Sequence, residues 1–423
     1  MGKPMYRRAI LIFMAFVWSA PVWAIGPETS VRPAERQIRV NDQTSRSQTD
    51  AGLANWIADF RTRALAQGID GTTFDVALKG ATYDPAIIKR DRNQAEFTKT
   101  IWDYLDTAVS DLRIANGRKS MGRWQDTLNR IEAAYGVEKE VIVAIWGLES
   151  AYGTFRGSAP VINGLATLAY DARRAAFFEG ELIHALRILQ DGDTSPAQMR
   201  GSWAGAMGHT QFMPSSFAAH AVDFDGDGKR NIWGKDPRDA LASTGAYLKH
   251  FGWTAGQPWG VEVRLPADFD YTLADRGNTQ LPSAWAKLGI APVNGAFDDA
   301  DGVASILLPG GAEGAAFMIF ANFAVLEKYN TADAYVIGVG HLSDRINGGN
   351  GIRHSWPRHL RALSKPERIE LQKRLTAAGF DTVKIDAKMG PLTINAVRNF
   401  QKAKGLVPDG FPSLSVLDRL RAL

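Results

Sequence analysis

The stretch WGLESAYG, residues 146–153, puts an acidic residue where an apolar one is expected. If the run VIVAI before it opens a helix, Glu149 stands four residues after Ile145 and seven after Ile142, so its carboxylate shares their apolar stripe. One reading is a helix-end residue that bends out to water. The other is chemical. A carboxyl held against apolar neighbours is disfavoured in its charged form, which raises its pKa toward the range where it delivers a proton to a leaving oxygen at neutral pH. Glu149 is therefore a candidate general acid, and glycosidic bond cleavage is a suitable reaction. Enzymes of that kind commonly use a second carboxylate as nucleophile or base. The next acidic residues, Asp171 and Glu179, are distant and sit in an Arg-rich helical context. Spacing alone leaves the reaction open.

Two further segments could do chemistry. GSWAGAMGHTQFMPSSF, residues 201–217, is dense in small residues: glycines at 201, 205 and 208 allow close backbone approach to a ligand, Trp203, Phe212 and Met213 offer apolar faces, and Gln211 offers an amide. A tight helix-packing loop is the competing account. DFDGDGKRNIW then fits the first half of a Ca²⁺ loop, with Asp223, Asp225 and Asp227 at positions 1, 3 and 5, Gly228 at the turn and the Lys229 carbonyl at position 7. Position 12, usually a bidentate Glu, is Gly234. The seven histidines form no HExxH cluster, no G-x-S-x-G elbow is present (GSWAG has its Ser in the wrong place), and no GxxxxGK[ST] loop occurs.

The elements that must position these groups are mainly helical. Helical spacing recurs in LANWIADFRTRALAQGI, TKTIWDYLDTAV, TLNRIEAAYG, KEVIVAIWGLES, RAAFFEGELIHALRILQ and DALASTGAYLKHFG. Between about 259 and 308, short apolar runs such as VEVRL and ASILL lie among Gly, Pro and Asp, which predicts a small β-containing insertion. Helical character returns at FMIFANFAVLEKYN and ADAYVIGVGHLSDRI. Prolines 357 and 366, set among basic residues, mark a domain boundary, and three short helices follow.

At the other end, Arg7 and Arg8 precede the apolar run AILIFMAFVWSA, and Val22 and Ala24 occupy the −3 and −1 positions of a small-residue cleavage site. Residues 1–24 read as a secretory signal peptide; the alternative is a retained anchor, although the run is shorter than the roughly 20 apolar residues a span needs. Residues 25–50 read as a flexible polar leader. The 423-residue chain is 45% hydrophobic, enough for a sizeable core, and contains no cysteine, so an exported form relies on core size rather than disulfides. A net charge of +4 and pI near 9.1 weakly favour polyanionic surroundings such as a cell wall. No basic, aromatic-interleaved block argues for nucleic acid.

E-S-x-Y-G followed by G-A-M-G-x-x-Q-F-M-P-S-S resembles the lytic murein transglycosylases of the membrane-bound B type, over about residues 51–363. YDARRAAFFEGEL, DFDGDG with NIW, and NFAVLEKYNTADAY extend the resemblance. It implies a lysozyme-like helical catalytic domain that cuts the β-1,4 bond from N-acetylmuramic acid to N-acetylglucosamine without adding water. In the family one Glu protonates the leaving oxygen, the substrate's N-acetyl group stabilises the oxocarbenium-like centre, and the same Glu takes the proton from the 6-hydroxyl as a 1,6-anhydro ring closes. Carried over, Glu149 is the acid and base, Ser202 and Gln211 contact sugar, and Tyr329, Asn330 and Tyr335 line the cleft. Arg173 and Arg174 match a basic pair able to meet peptide or muramyl carboxylates, and Asp239 matches the carboxylate closing an atypical Ca²⁺ loop. The metal would be structural, with no cofactor required for the chemistry.

Residues 364–423 resemble the small three-helix peptidoglycan-binding domain, through LQKRL from Leu371, the Asp386–Thr393 turn, AVRNFQ from Ala396 and GLVPDG from Gly405. As a tether it would raise the enzyme's effective concentration on the polymer. The signal peptide, with no later stretch apolar and long enough to cross a bilayer, predicts a soluble periplasmic protein with no stable membrane anchor after signal cleavage. The resemblance implies that its partner is the glycan strand and is compatible with contacts to cell-wall synthesis or division proteins. A hydrolytic muramidase of the same fold and a non-catalytic wall-binding protein are the alternatives.

Overall fold

The computed structural model describes residues 50–92, 99–171 and 173–423; the expected signal peptide and all of the expected leader except Asp50 lie outside them. Seven helices come first: α1 (Asp50–Ala66), α2 (Gly71–Ala77), α3 (Pro85–Arg92), α4 (Ile101–Ala108), α5 (Asp111–Arg123), α6 (Gln125–Tyr135) and α7 (Lys139–Ser150). Local chemistry sets their ends. Asp70 caps α2 by accepting from Thr73 N, Thr100 caps α4 through Asp103 N, and Gly136, at φ 65°, ends α6 in the left-handed conformation. A two-stranded antiparallel pair, β1 (Ala159–Pro160) with β2 (Arg200–Gly201), brackets α8 (Val161–Tyr170) and α9 (Ala175–Gln190). Helices α10 (Pro214–His220) and α11 (Arg238–His250) follow.

The insertion holds β3 (Gly260–Arg264), α12 (Pro282–Lys287), β4 (Ala291–Pro292), β5 (Ser305–Leu307) and β6 (Ala316–Ile319), an antiparallel sheet of order β4-β3-β6-β5. Its register pairs Val263 with Ala316 and Ser305 with Ile319. Strand β6 corrects the helical reading of FMIF. A four-residue apolar run carries no period that separates strand from helix, and here it is buried on both faces as a central strand. Trp285 and Met318, both fully buried, centre a core of the insertion's own. The chain then returns to the main bundle with α13 (Ala321–Tyr329) and α14 (Asp333–Ile346).

The middle of helix α7 is apolar all round, with residues 141–147 all buried, so the helix runs through the middle of the bundle, packed by α14, α5 and α11. That arrangement brings the end of α7 close to the start of α14.

The C-terminal unit comprises α15 (Lys365–Ala377), α16 (Pro391–Ala403) and α17 (Leu414–Arg421) around Leu371, Leu375, Val397, Phe400 and Leu417. A capping box of Ser364 and Glu367 starts α15. This unit is seated on the insertion rather than hanging from a free tether. Arg398 Nη2 donates to Ala274 O at 2.6 Å, and Ala312 N donates to Asp409 Oδ2 at 2.9 Å. Gly311 lies at φ 69°, and a Cβ there would stand 2.7 Å from Asp409 Oδ2 and 2.8 Å from Phe411. Gly311→Val should therefore strain its own turn and undock the unit while leaving both cores intact. Small-angle scattering should show a larger radius of gyration; an unchanged radius would refute the docking.

Candidate active site

Glu149 occupies the last turn of α7, half-buried, beyond the fully buried Ile142 and Ile145 of the same stripe. Tyr335, on the first turn of α14, donates its hydroxyl to Glu149 Oε1 at 2.7 Å. Tyr329 stacks on Tyr335 at 6.4 Å between ring centroids and donates to Thr210 O at 2.5 Å. Burial, and then the Glu149 carboxylate, push both phenols well above the usual tyrosine range. Both stay protonated, so Tyr335 remains a donor to the Glu149 carboxylate. Asn330, between them, accepts from Ala332 N at 3.1 Å.

The residues after Glu149 turn the chain sharply. Ala151, Tyr152 and Gly153 have φ of 47°, 58° and 82°. Tyr152 folds back, its hydroxyl donating to Arg113 O at 2.7 Å, and a Cβ at Gly147 would stand 2.6 Å from that hydroxyl. Gly147 and Tyr152 of WGLESAYG are thus a matched pair. Buried Ser150 donates to His209 O at 2.5 Å and accepts from Gly153 N at 2.9 Å, tying the turn to the glycine-rich loop.

That loop is folded on itself. Ser202 Oγ accepts from Ala206 N at 3.0 Å, and Met207 and Phe212 exchange backbone bonds of 2.8 and 3.0 Å. Glycine is required at 201, where a Cβ would stand 2.1 Å from Ala206 O, and at 208, where it would stand 2.4 Å from Ile232 O. Gln211, at φ 55°, spends its amide hydrogens on Arg156 O and Gly208 O at 3.0 and 2.8 Å, leaving Oε1 as its open acceptor among the described residues. Buried Glu181 accepts from Ser215 N and Oγ at 2.9 and 2.7 Å, which fixes the MPSS segment, and burial raises its pKa.

Arg173 and Arg174 both donate to buried Asp91 on α3, with Arg173 Nε 2.8 Å from Oδ2, and Arg174 lies over Phe178 at 4.6 Å. Asp171 pairs with Arg92 at 2.8 Å and Glu179 with Arg63 at 2.8 Å, so both distant carboxylates are committed to ion pairs.

The carboxylates of Asp223, Asp225 and Asp227 can bring ligand oxygens within 4.8 Å of one another. Asp223 also accepts from Gly226 N and Gly228 N, each at 2.8 Å. Lys229 N donates to Asp227 at 2.9 Å. Asp239 stands behind the loop, nearly fully buried, and accepts from Phe224 N at 2.9 Å and Asn231 N at 2.8 Å. Its Oδ1 also accepts from Asp225 N at 3.3 Å, so Oδ2 is the oxygen with a lone pair left. The three clustered carboxylates of Asp223, Asp225 and Asp227 are hard oxygen donors of the kind that suit Ca²⁺.

His209, absent from the sequence reading, joins these parts. Trp146 donates its indole N–H to Nδ1 at 3.1 Å, so the ring proton sits on Nε2, 2.9 Å from Gly234 O. A Cβ at Gly153 would stand 2.5 Å from the same ring. The only sequence signal was a histidine inside a glycine-rich motif.

Residues 52–344 match the Transglycosylase SLT domain family, and residues 364–420 match a peptidoglycan binding domain. The chain belongs to the Transglycosylase SLT domain family. It is 46% identical to SltB3 from Pseudomonas aeruginosa, solved in complex with NAG-anhNAM-pentapeptide, at a TM-score of 0.84 over 87% of this chain and 99% of that one. Escherichia coli lytic transglycosylase Slt35, solved in complex with calcium, is 29% identical at a TM-score of 0.59, over 73% of this chain and 98% of that one. Membrane-bound lytic murein transglycosylase B of Escherichia coli (strain K12) is 41% identical over 159 residues, 37% of this chain and 44% of that protein.

Burial lowers the His209 pKa from 6.5 to about 4. A depressed folded-state pKa contributes stability that is full above 6.5 and is lost as pH falls toward 4. His209→Asn should flatten the pH dependence of unfolding free energy in that window by about 1.4 kcal/mol per pH unit. Denaturant titrations from pH 7 to 4 check this; parallel wild-type and variant curves would contradict the buried neutral tautomer.

Proposed function

We propose that this protein is a lytic transglycosylase that cleaves the β-1,4 bond between N-acetylmuramic acid and N-acetylglucosamine and leaves 1,6-anhydromuramyl ends. The observation that carries the proposal is Glu149 at the end of α7, held by the protonated Tyr335 hydroxyl at 2.7 Å. Glu149 protonates the leaving oxygen. The substrate's N-acetyl group supports the positive centre, and the carboxylate, now a base, removes the proton from the 6-hydroxyl that attacks it. Tyr335 keeps the carboxylate oriented through both steps. The engagement of Asp171 and Glu179 with Arg92 and Arg63 supports a route needing one carboxylate.

Ser202 and the open Oε1 of Gln211 supply polar contacts to sugar, with Asn330, Tyr329 and Tyr335 on the facing wall. Arg173 and Arg174, held by Asp91, present a cationic edge for muramyl or peptide carboxylates. The C-terminal unit binds peptidoglycan. No helix among the described residues is long and apolar enough to cross a membrane, and with residues 1–24 as an export signal the enzyme acts in the periplasm. Asp223, Asp225, Asp227, the Lys229 carbonyl and Asp239 hold a structural Ca²⁺, which would fix the loop ahead of α11.

Glu149→Gln keeps shape and removes the titratable proton, so release of 1,6-anhydro muropeptides from sacculi should fall about a thousandfold, as read by mass spectrometry. Parental release by the variant would sink the assignment of Glu149, and reducing-end products from the wild type would mean hydrolysis. Calcium at about a hundred times its Kd should add about 2.7 kcal/mol to the unfolding free energy. A thermal midpoint indifferent to calcium and to chelator would remove the metal.

A further inference from the structure

The C-terminal unit contains the same loop twice. Gln372 Nε2 donates to Asp386 Oδ1 at 3.2 Å, Ala387 N donates to Gln372 Oε1 at 2.8 Å, and Lys388 N donates to Asp386 Oδ1 at 2.9 Å. In the second copy Gln401 Nε2 donates to Asp409 Oδ1 at 2.7 Å, Gly410 N to Gln401 Oε1 at 2.8 Å, and Phe411 N to Asp409 Oδ1 at 2.9 Å. Ala387 and Gly410 share the left-handed conformation, at φ 63° and 75°. Each aspartate stands five residues before the first residue of the next helix, Pro391 or Leu414.

The two copies differ in what their outer oxygen meets. Asp409 Oδ2 accepts a peptide N–H, that of Ala312 in the insertion, while Phe411 packs against Gly311. The second loop is thus consumed by docking, and it shows how this motif grips a stretch of backbone. Asp386 Oδ2 accepts nothing from the described residues, and its carboxylate is only partly buried. Around it the surface is apolar and open: Val383 is 64% exposed at φ 63°, which a β-branched residue rarely adopts, and Ile385 and Leu392 are 40% and 54% exposed. Lys388 stands where the second loop has Phe411, and neither it nor the exposed Lys384 makes a side-chain bond to a described residue.

We propose that the Asp386 loop is the ligand site of the C-terminal unit and that it takes the stem peptide of the wall polymer rather than its sugars. A peptide N–H of the ligand binds Asp386 Oδ2, small aliphatic side chains cover Val383 and Ile385, and a peptide carboxylate meets Lys388. Sugar rings are gripped by aromatic faces. This unit has three aromatic residues, of which Phe380 and Phe400 pack in its core and Phe411 lies at the docking contact. The inference rests on the wall-binding reading of this unit.

The test uses the full-length Glu149→Gln protein, which does not consume its ligand, sedimented with intact sacculi and with sacculi stripped of peptide by an amidase. Asp386→Asn retains the Oδ1 acceptor and turns the outer oxygen into a donor; Lys388→Glu reverses a surface charge without touching the core. Each should weaken binding to intact sacculi about tenfold and leave binding to stripped glycan at the parental level. Parental affinity of both variants for intact sacculi would overturn the proposal while sparing the wall-binding reading. Equal losses on intact and stripped material would assign the loop to glycan and overturn it as well. A parent that sediments with neither material would remove the wall-binding reading itself.

Discussion

The left-handed turn that ends α7 is the constraint on which the rest of the site depends. Ala151 and Tyr152 are not glycines, yet they sit at φ 47° and 58°. Conformations of that kind cost on the order of 1–3 kcal/mol each and persist only where the surroundings over-determine them. Here Ser150 anchors the turn from below, Tyr152 reaches across to Arg113 O, and the Tyr152 ring stands edge-on to Trp146 at 5.8 Å. The reversal stops the chain immediately beyond Glu149, so the carboxylate is left at the end of a buried helix instead of inside it. It also directs residues 153–157 against the glycine-rich loop, where a Cβ at Gly157 would stand 2.2 Å from the Gly201 carbonyl.

The polar groups behind the turn form one connected set with one arrangement of protons. Because an indole N–H can only donate, Trp146 fixes the tautomer of His209, and the remaining ring proton then has a single acceptor at Gly234 O. Gly234 closes the segment that begins with Asp223. The acidic loop, the glycine-rich loop and α7 are therefore joined through a buried imidazole that burial keeps neutral. A charged ring there would lose the Trp146 bond and place a cation in the core, where burial outweighs the attraction of Asp236.

The docking of the C-terminal unit follows a different economy. A free tether raises effective concentration without fixing direction, whereas Arg398 and Asp409 each use a backbone group of the insertion. The insertion has its own core around Trp285, independent of the main bundle. Its turn at Gly311 and its carbonyl at Ala274 are contacts on which the C-terminal unit rests.

What the sequence disclosed, and what it withheld, divides by the range of the contact. Helices α1, α7, α9, α11 and α14 were legible because each repeats its apolar residues at helical spacing. The acidic loop was legible because its three aspartates are separated by single residues. Strand β6 was misread as helix, since AFMI is buried on both faces and shows no alternation. The part-buried hydrogen bond of Tyr335 to Glu149 spans 186 positions; family resemblance assigned both residues to one cleft, and no sequence signal joined them. His209 meets Trp146 across 63 positions and Asp409 meets Ala312 across 97, in each case through groups whose roles depend on where the backbone arrives. Hydrophobic periodicity specifies which face of an element is buried, and it carries no information on which distant polar atom waits there.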